Sequence, residues 1–392
     1  MIDFVNLDQY NQYMSWISAD AAAKRLNVKR QTLYAYVSRG LLTACADTDD
    51  PRASLYAVED VEALARRRAA GRKRADIAEA TIAWGEPVLT SAITTVREGR
   101  LVYRDHDAVI LAETATLEET ARLLWAGPSR DPSAPSYGAT QPENANAKER
   151  ALFFLATRVA SDPPSFGRAQ EALILESESL LAGMTCALGG IQTDAPMHER
   201  LAQQWGLGRM QADLLRRTLV LLADHELNPS TFAARVAAST GASLAAAMMA
   251  GFATLTGPRH GEAAARALDF LKSANTIGAD LAVMAWLARA QAIPATGHPL
   301  YPSGDPRAAA ILSALRPSHQ TCALIEAAEA ATGNKANVDM ALAALTHELE
   351  LPSDAPFILF AAARTAGWLA HAMEQALSGL PIRPRANFVP SP

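Results

Sequence analysis

GHPLYPSGDPR, residues 297–307, holds three prolines and two glycines in eleven positions. Proline lacks an N–H and clashes with the preceding helical turn, so no helix or central strand runs through this stretch. It reads as a structured loop between helices. It also carries His298 and Arg307. Proline and glycine turns hold side chains at fixed angles, and binding residues concentrate on loops held by a rigid scaffold. Such a loop is expected to carry chemistry rather than to serve as punctuation.

The surrounding chain is mainly α in pattern. From about residue 83 onward, Ala- and Leu-rich segments of helical length follow one another to about residue 380, with few β-branched runs. The 392 residues predict two or three domains, and 49% apolar content suffices for a large core. The net charge of −5 gives no global argument for nucleic acid. Cys45, Cys186 and Cys322 lie far apart, which points away from a zinc site or disulfide framework and suits the reducing cytoplasm. The opening MIDFVNLDQY lacks a charged-then-apolar export pattern. Residues 240–256, TGASLAAAMMAGFATLT, are built from small residues that partition weakly into lipid, so a close-packed core helix is expected rather than a membrane span. Residues 131–150 read as a polar loop. The eight histidines form no HxxxH or HExxH set, so no metal is expected.

Residues 15–42 read differently. Ser18 can cap a helix whose apolar face uses Ala22 and Leu26, Asn27 can take a left-handed turn, and a second helix runs from near Lys29 to Gly40. SLYAVEDVEALARRR then predicts a short strand and a third helix. Two short helices joined so tightly match a helix-turn-helix. The stretch resembles the MerR-type (excisionase-like) winged helix-turn-helix family. Residues 15–75 carry twelve Lys and Arg against seven acids, a basic module in an acidic chain. The resemblance implies DNA contacts from Lys29, Arg30, Gln31, Thr32 and Tyr34. The alternative is a protein-contact module with a solvated basic surface.

Four stretches interrupt the later helices: DHELNPST (224–231), GPRHGE (257–262), the opening loop, and ANVDM (336–340). Each sets an ionisable residue beside a helix breaker or cap. Singly, each reads as a cap or surface residue. In this order, with ARTAGWLAH and RPR downstream and GRLVYRDHDAVILAETATLEETARLLWAG upstream, the chain from about 84 to 390 resembles the citrate synthase family.

That resemblance implies a mainly α protein with a large domain (76–260 and 356–392) and a small domain (261–355), preceded by the helix-turn-helix domain (1–75). It implies a homodimer that condenses acyl-CoA, as cosubstrate, with oxaloacetate and needs no cofactor. Asp339 matches the catalytic base, His260 the donor to the thioester oxygen, and His298 the donor to the oxaloacetate ketone. His225, Arg307 and Arg364 match ligands of the substrate carboxylates. Arg383, or equally Arg385, matches a ligand given by the other subunit. Asn228 and Ser230 match residues that order the His225 loop. Arg364 stands out without the family, because FILFAAARTAGWLA is too apolar to hold an unpartnered charge. Its partner is either a substrate carboxylate or an internal acid, with Glu374 in reach.

Many family members read GFGHRVYK where this chain reads ATGHPLYP, and GPRHG is followed here by EAAA. The oxaloacetate residues match while the CoA side departs. Two readings therefore stand: a condensing enzyme forming citrate or 2-methylcitrate, or a metabolite-sensing DNA-binding regulator on the same scaffold.

Overall fold

The computed structural model describes residues 15–26, 28–38, 41–47, 54–69, 89–127, 142, 144–189, 193, 195–289 and 292–385. Asn27, Gly40, most of the connector read at 69–82, much of the 131–150 loop and the last seven residues lie outside them. The chain packs as two compact units. One comprises residues 1–90 with 385–392, the other Ser91–Pro384.

In the first unit, strand Ser54–Ala57 lies between Trp16–Ser18 and Ala44–Ala46, antiparallel to both. Helices Ala19–Leu26, Arg30–Ser38 and Val58–Ala69 accompany this sheet. Ser18 caps the first helix, its hydroxyl accepting from the Ala21 amide at 3.3 Å. Ala22 and Leu26 are buried with Leu33, Leu42, Tyr56 and Val61 in one small core.

The second unit opens with a sheet that helical periodicity does not anticipate. Strands Thr94–Arg97, Arg100–Tyr103 and His106–Asp107 pair antiparallel in chain order. Two-residue turns join them, Glu98–Gly99 and Arg104–Asp105, with φ positive at all four residues. That is the geometry matching the strand twist of tight hairpins. Helices follow: Ala108–Leu111, Leu117–Leu124, Ala147–Ser161, Gln170–Gly189, Met197–Gln204, Arg209–Leu222, Pro229–Ala238, Leu244–Leu255, Ala263–Ile277, Ala279–Ala288, Pro306–Leu315, His319–Thr332, Val338–Glu348 and Ala355–Ser378. The polar segment read as a loop to residue 150 ends earlier, because Asn146 and Glu149 form a reciprocal capping box that starts a helix at Ala147.

Helix Ala355–Ser378 is the axis of the main core, almost wholly buried from Ala355 to Met373. Helices Gln170–Gly189, Arg209–Leu222, Pro229–Ala238 and Leu244–Leu255 all pack on it. Gln170–Gly189 is long and apolar enough to cross a membrane, yet most of it is buried in this core. Leu244–Leu255 is the helix expected from the small-residue run. What approaches it is an indole: a Cβ on Gly251 would stand 3.0 Å from the Trp368 ring. A separate apolar cluster joins helices Ala263–Ile277, Ala279–Ala288, His319–Thr332 and Val338–Glu348 through Phe270, Trp286, Leu324 and Met340.

Candidate active site

The ionisable residues singled out in the sequence lie where these helices begin or break. After helix Arg209–Leu222, the buried His225 precedes Glu226, whose φ of 49° turns the chain. A non-glycine residue in that region is held there by its surroundings. Here the Glu226 carboxylate accepts from the Val96 amide at 2.9 Å. Asn228 then caps helix Pro229–Ala238, its Oδ1 accepting from the Thr231 amide at 3.2 Å, with Pro229 at the first helical position. Its Nδ2 donates to the His225 carbonyl at 3.3 Å. The loop around His225 is thus tied at both ends.

Ser230 is the junction to His260. Its hydroxyl donates to Asn228 Oδ1 at 2.7 Å and accepts from Trp368 Nε1 at 3.1 Å. Its remaining contact is with His260 Nε2 at 2.8 Å. The serine has one proton, already directed at an acceptor, so His260 Nε2 must carry a proton and donate. The histidine sits in a tight turn that requires Gly261, because a Cβ there would come 2.5 Å from the Leu255 carbonyl oxygen. Burial, reinforced by the Arg364 charge, pushes the His260 imidazole down to about 4.

The opening loop is pinned by backbone and side-chain hydrogen bonds. Gly297 takes φ 73°, and its amide donates to the Lys335 carbonyl at 2.7 Å. Asn337 Nδ2 donates to the Gly297 carbonyl at 3.0 Å, while Asn337 also caps helix Val338–Glu348. The loop is therefore tied directly to the start of the Asp339 helix. His298 Nδ1 accepts from the Leu300 amide at 3.2 Å, which leaves its proton on Nε2. Its ring meets that of His225 edge-on with centroids 5.0 Å apart. The last residues open a helix: Asp305 caps Pro306–Leu315, with Pro306 at its first position. The Asp305 carboxylate accepts from Arg307 Nε at 3.0 Å and Nη2 at 2.8 Å, a forked, buried ion pair. Burial would raise the Asp305 carboxyl, but Arg307 outweighs it and holds it below the usual range.

Asp339 is the second residue of its helix. Its amide donates to Asn337 Oδ1 at 3.0 Å. Among the described residues no hydrogen bond reaches its carboxylate. Burial pushes this carboxyl up to about 6, against the pull of Arg307 and with the push of Asp305. Arg364, 1% exposed, donates Nε to the Leu222 carbonyl at 3.0 Å, while its Nη2 has no hydrogen-bond partner among the described residues. Burial lowers this guanidinium to about 10, and Asp224 opposes the fall. Its field, with that of Arg307, adds to burial in holding His225 well below the ordinary imidazole value.

The internal pair weighed for Arg364 is not formed. Glu374 instead accepts from Arg235 Nη1 at 2.5 Å and from the Ala92 amide at 2.9 Å. Arg235 Nη1 can only donate, so His371 Nδ1 accepts at 3.2 Å and His371 Nε2 donates to Asp224 Oδ2 at 3.2 Å. This buried chain behind His225 escaped the sequence reading, as did Tyr301, whose hydroxyl lies 2.9 Å from His225 Nε2. Asp305 carried a readable signal, an acid directly before proline at a helix start. Arg383 is exposed in the extended stretch after the last helix, with no ion pair among the described residues. In the first unit, Lys29 and Gln31 are exposed and Thr32 is half-buried. Arg30 is bound to Asp20, so it is not a free cation; the Tyr34 side chain lies outside the description. A cleft of about 1160 Å³ between Arg209, Arg217 and Arg316 contains none of the site residues.

Residues 168–385 match the family model described as the citrate synthase C-terminal domain. The protein provisionally named citrate synthase 2 in Mycobacterium tuberculosis is 34% identical over 183 residues, 43% of this chain and 49% of that protein. In that match this chain spans about half the relative's length. The 2-methylcitrate synthase of Shewanella oneidensis is 27% identical over 349 residues, 78% of this chain and 93% of the relative. The crystal structure of citrate synthase from Thermotoga maritima superposes with a TM-score of 0.65 at 26% identity, covering 78% of this chain and 94% of that one. With over half its length matched by the family model and this helical fold around the site, the chain belongs to the citrate synthase family.

Proposed function

We propose that this chain condenses an acyl-CoA with oxaloacetate, acetyl-CoA being the first choice of donor and propionyl-CoA the alternative. The observation that carries the reading is Arg364. A fully buried guanidinium with an unpartnered Nη2 is costly to keep, and its field reaches His225 and His260. A substrate carboxylate would complete it. Arg307, already steered by Asp305, and His225 are the further ligands of the dianion, and Arg383 of the partner subunit's tail is the last.

Each remaining group has one task. Asp339, with no hydrogen bond holding its charge, is raised toward a pKa where it can take the acyl methyl proton. His260 stabilises the enolate oxygen. Its resting proton lies on Nε2, so donation from Nδ1 requires Ser230 to turn its hydroxyl from Asn228 to His260. The nucleophilic carbon then bonds to the ketone carbon, and His298 Nε2 supplies the proton that the ketone oxygen gains. Water cleaves the resulting thioester, releasing CoA as thiol and the new carboxylate.

The dimer has its own support. Leu152, Phe153, Val159 and Leu175 expose apolar surface on helices Ala147–Ser161 and Gln170–Gly189. A second reading concerns the first unit, whose short helices and antiparallel hairpin support a winged helix-turn-helix that binds DNA through Lys29 and Gln31. It predicts salt-dependent, sequence-selective DNA binding. Binding no stronger than to random DNA at low salt would remove it. The condensing reading is tested by thiol release from acetyl-CoA and from propionyl-CoA, with and without oxaloacetate. Oxaloacetate-dependent release supports it, and the ratio of rates assigns the acyl group. Absence of release with both donors refutes it.

A further inference from the structure

Tyr301 lies at the centre of the site yet has no part in the chemistry above. It is 2% exposed. Its hydroxyl is 2.9 Å from His225 Nε2, its ring centroid 5.1 Å from that of His298, and the Arg307 guanidinium lies 5.5 Å over its face. His225 Nδ1 has no hydrogen-bond partner among the described residues and is not among the side-chain nitrogens sealed from solvent. It is the ring nitrogen that no described residue occupies.

We propose that Tyr301 is a positioning residue: by donating to Nε2 it fixes the single proton of His225 on Nδ1, the nitrogen that meets an anionic substrate. A hydroxyl beside an imidazole nitrogen can donate or accept. Were Tyr301 to accept, Nε2 would hold the proton and Nδ1 would present a bare lone pair. That lone pair would repel a carboxylate or ketone oxygen. Double protonation does not resolve this, because Arg307 and Arg364 add to burial in keeping the ring neutral. With one proton to place, the partner of Nε2 decides what Nδ1 can do. Phenol oxygens rarely lose their proton, and burial moves this one further from doing so.

The inference deepens the condensing-enzyme reading and relies on it only for the identity of the anion. The test is a long-range ¹H–¹⁵N correlation spectrum of the full chain labelled at histidine, with the His225 signals assigned by their loss in His225→Asn. The wild type is expected to show a protonated Nδ1 and a bare Nε2. Tyr301→Phe keeps the ring packing and is expected to shift the proton toward Nε2. Oxaloacetate binding by calorimetry should weaken about two- to tenfold in Tyr301→Phe, the worth of one neutral hydrogen bond. A wild-type spectrum with the proton on Nε2 overturns the proposal, and so does a Tyr301→Phe spectrum identical to wild type. The wild-type spectrum decides even if the variant does not fold. Failure of the wild type to bind oxaloacetate counts against the condensing reading alone, because the tautomer is read without substrate.

Discussion

Asp339 is the residue at which proposed function and stability oppose each other, and Asp339→Asn separates them. Its carboxyl stands at about 6 in the fold against an ordinary 3.8, with burial as the main cause. The folded protein therefore favours the protonated form. That contribution is complete below pH 3.8 and is lost as the pH rises through about 6. At about 1.4 kcal/mol per pH unit, the ionised carboxylate costs the fold about 3 kcal/mol at pH 7.5 and about 1.6 kcal/mol at pH 5. The amide does not titrate, so the variant should exceed wild type by about those amounts. Urea unfolding at the two pH values measures both differences. Turnover should fall about 10²- to 10⁴-fold with loss of the base. Wild-type kcat/KM should drop tenfold per unit below pH 6. A variant less stable than wild type at pH 7.5, or a difference independent of pH, would show that the carboxylate is not held against its preference.

Three further changes probe the supports of the site. Arg307→Met leaves the buried Asp305 carboxylate uncompensated and should destabilise by about 3–5 kcal/mol in denaturant titrations; a loss under 1 kcal/mol would mean the pair is solvated. Gly367→Ala drives a Cβ into Asp224 Oδ1 and to 2.7 Å from the Ala223 carbonyl oxygen. A cost of about 1–3 kcal/mol or more is expected from such overpacking, and an unchanged Tm would contradict the packing described. Ser230→Ala removes the shared partner of Trp368, Asn228 and His260 and should cost about 1–3 kcal/mol for the unpaired groups, with altered Trp368 fluorescence as a second readout.

Local signals carried much of this architecture. Ser18, Ala22 and Leu26 act as read, because a cap and a helical stripe lie within eight residues. The proline-rich loop is tied to the Asp339 helix through Gly297, Lys335 and Asn337. The hairpins at 94–107 were missed, since strands of two to four residues show too few alternations and the turns use Glu-Gly and Arg-Asp rather than Asn-Gly. The least legible part is the chain from Asp224 through His371 to Arg235 and Glu374. Asp224 and His371 are 147 positions apart, and nothing local distinguishes His371 from any histidine on a helix. Glu374 follows Arg364 on the same helix, which made it a natural partner. Only the fold reveals that Arg235, from another helix, reaches it instead.

The two guanidiniums at the site are prepared differently, and the difference has a physical use. Arg307 is neutralised in advance: Asp305 takes two of its donors, fixes the plane of the group and caps the same helix. Its geometry is set, and its field still acts on His225 and His298. Arg364 is held by a backbone carbonyl and the Phe360 ring, 4.6 Å from its guanidinium, with no carboxylate hydrogen-bonded to it among the described residues. Burial already disfavours charged imidazoles at the site, and the Arg364 field adds to the effect at His225 and His260. Neutral imidazoles donate or accept according to tautomer: the Leu300 amide leaves the His298 proton on Nε2, and the Ser230 hydroxyl, committed to Asn228, leaves that of His260 on Nε2 at rest. On the proposed reading, a bound dianion would offset that field while burial continued to disfavour charged rings. A buried arginine with no ion pair among the described residues costs the fold, and on the proposed reading it would make the electrostatics of the site depend on a bound carboxylate.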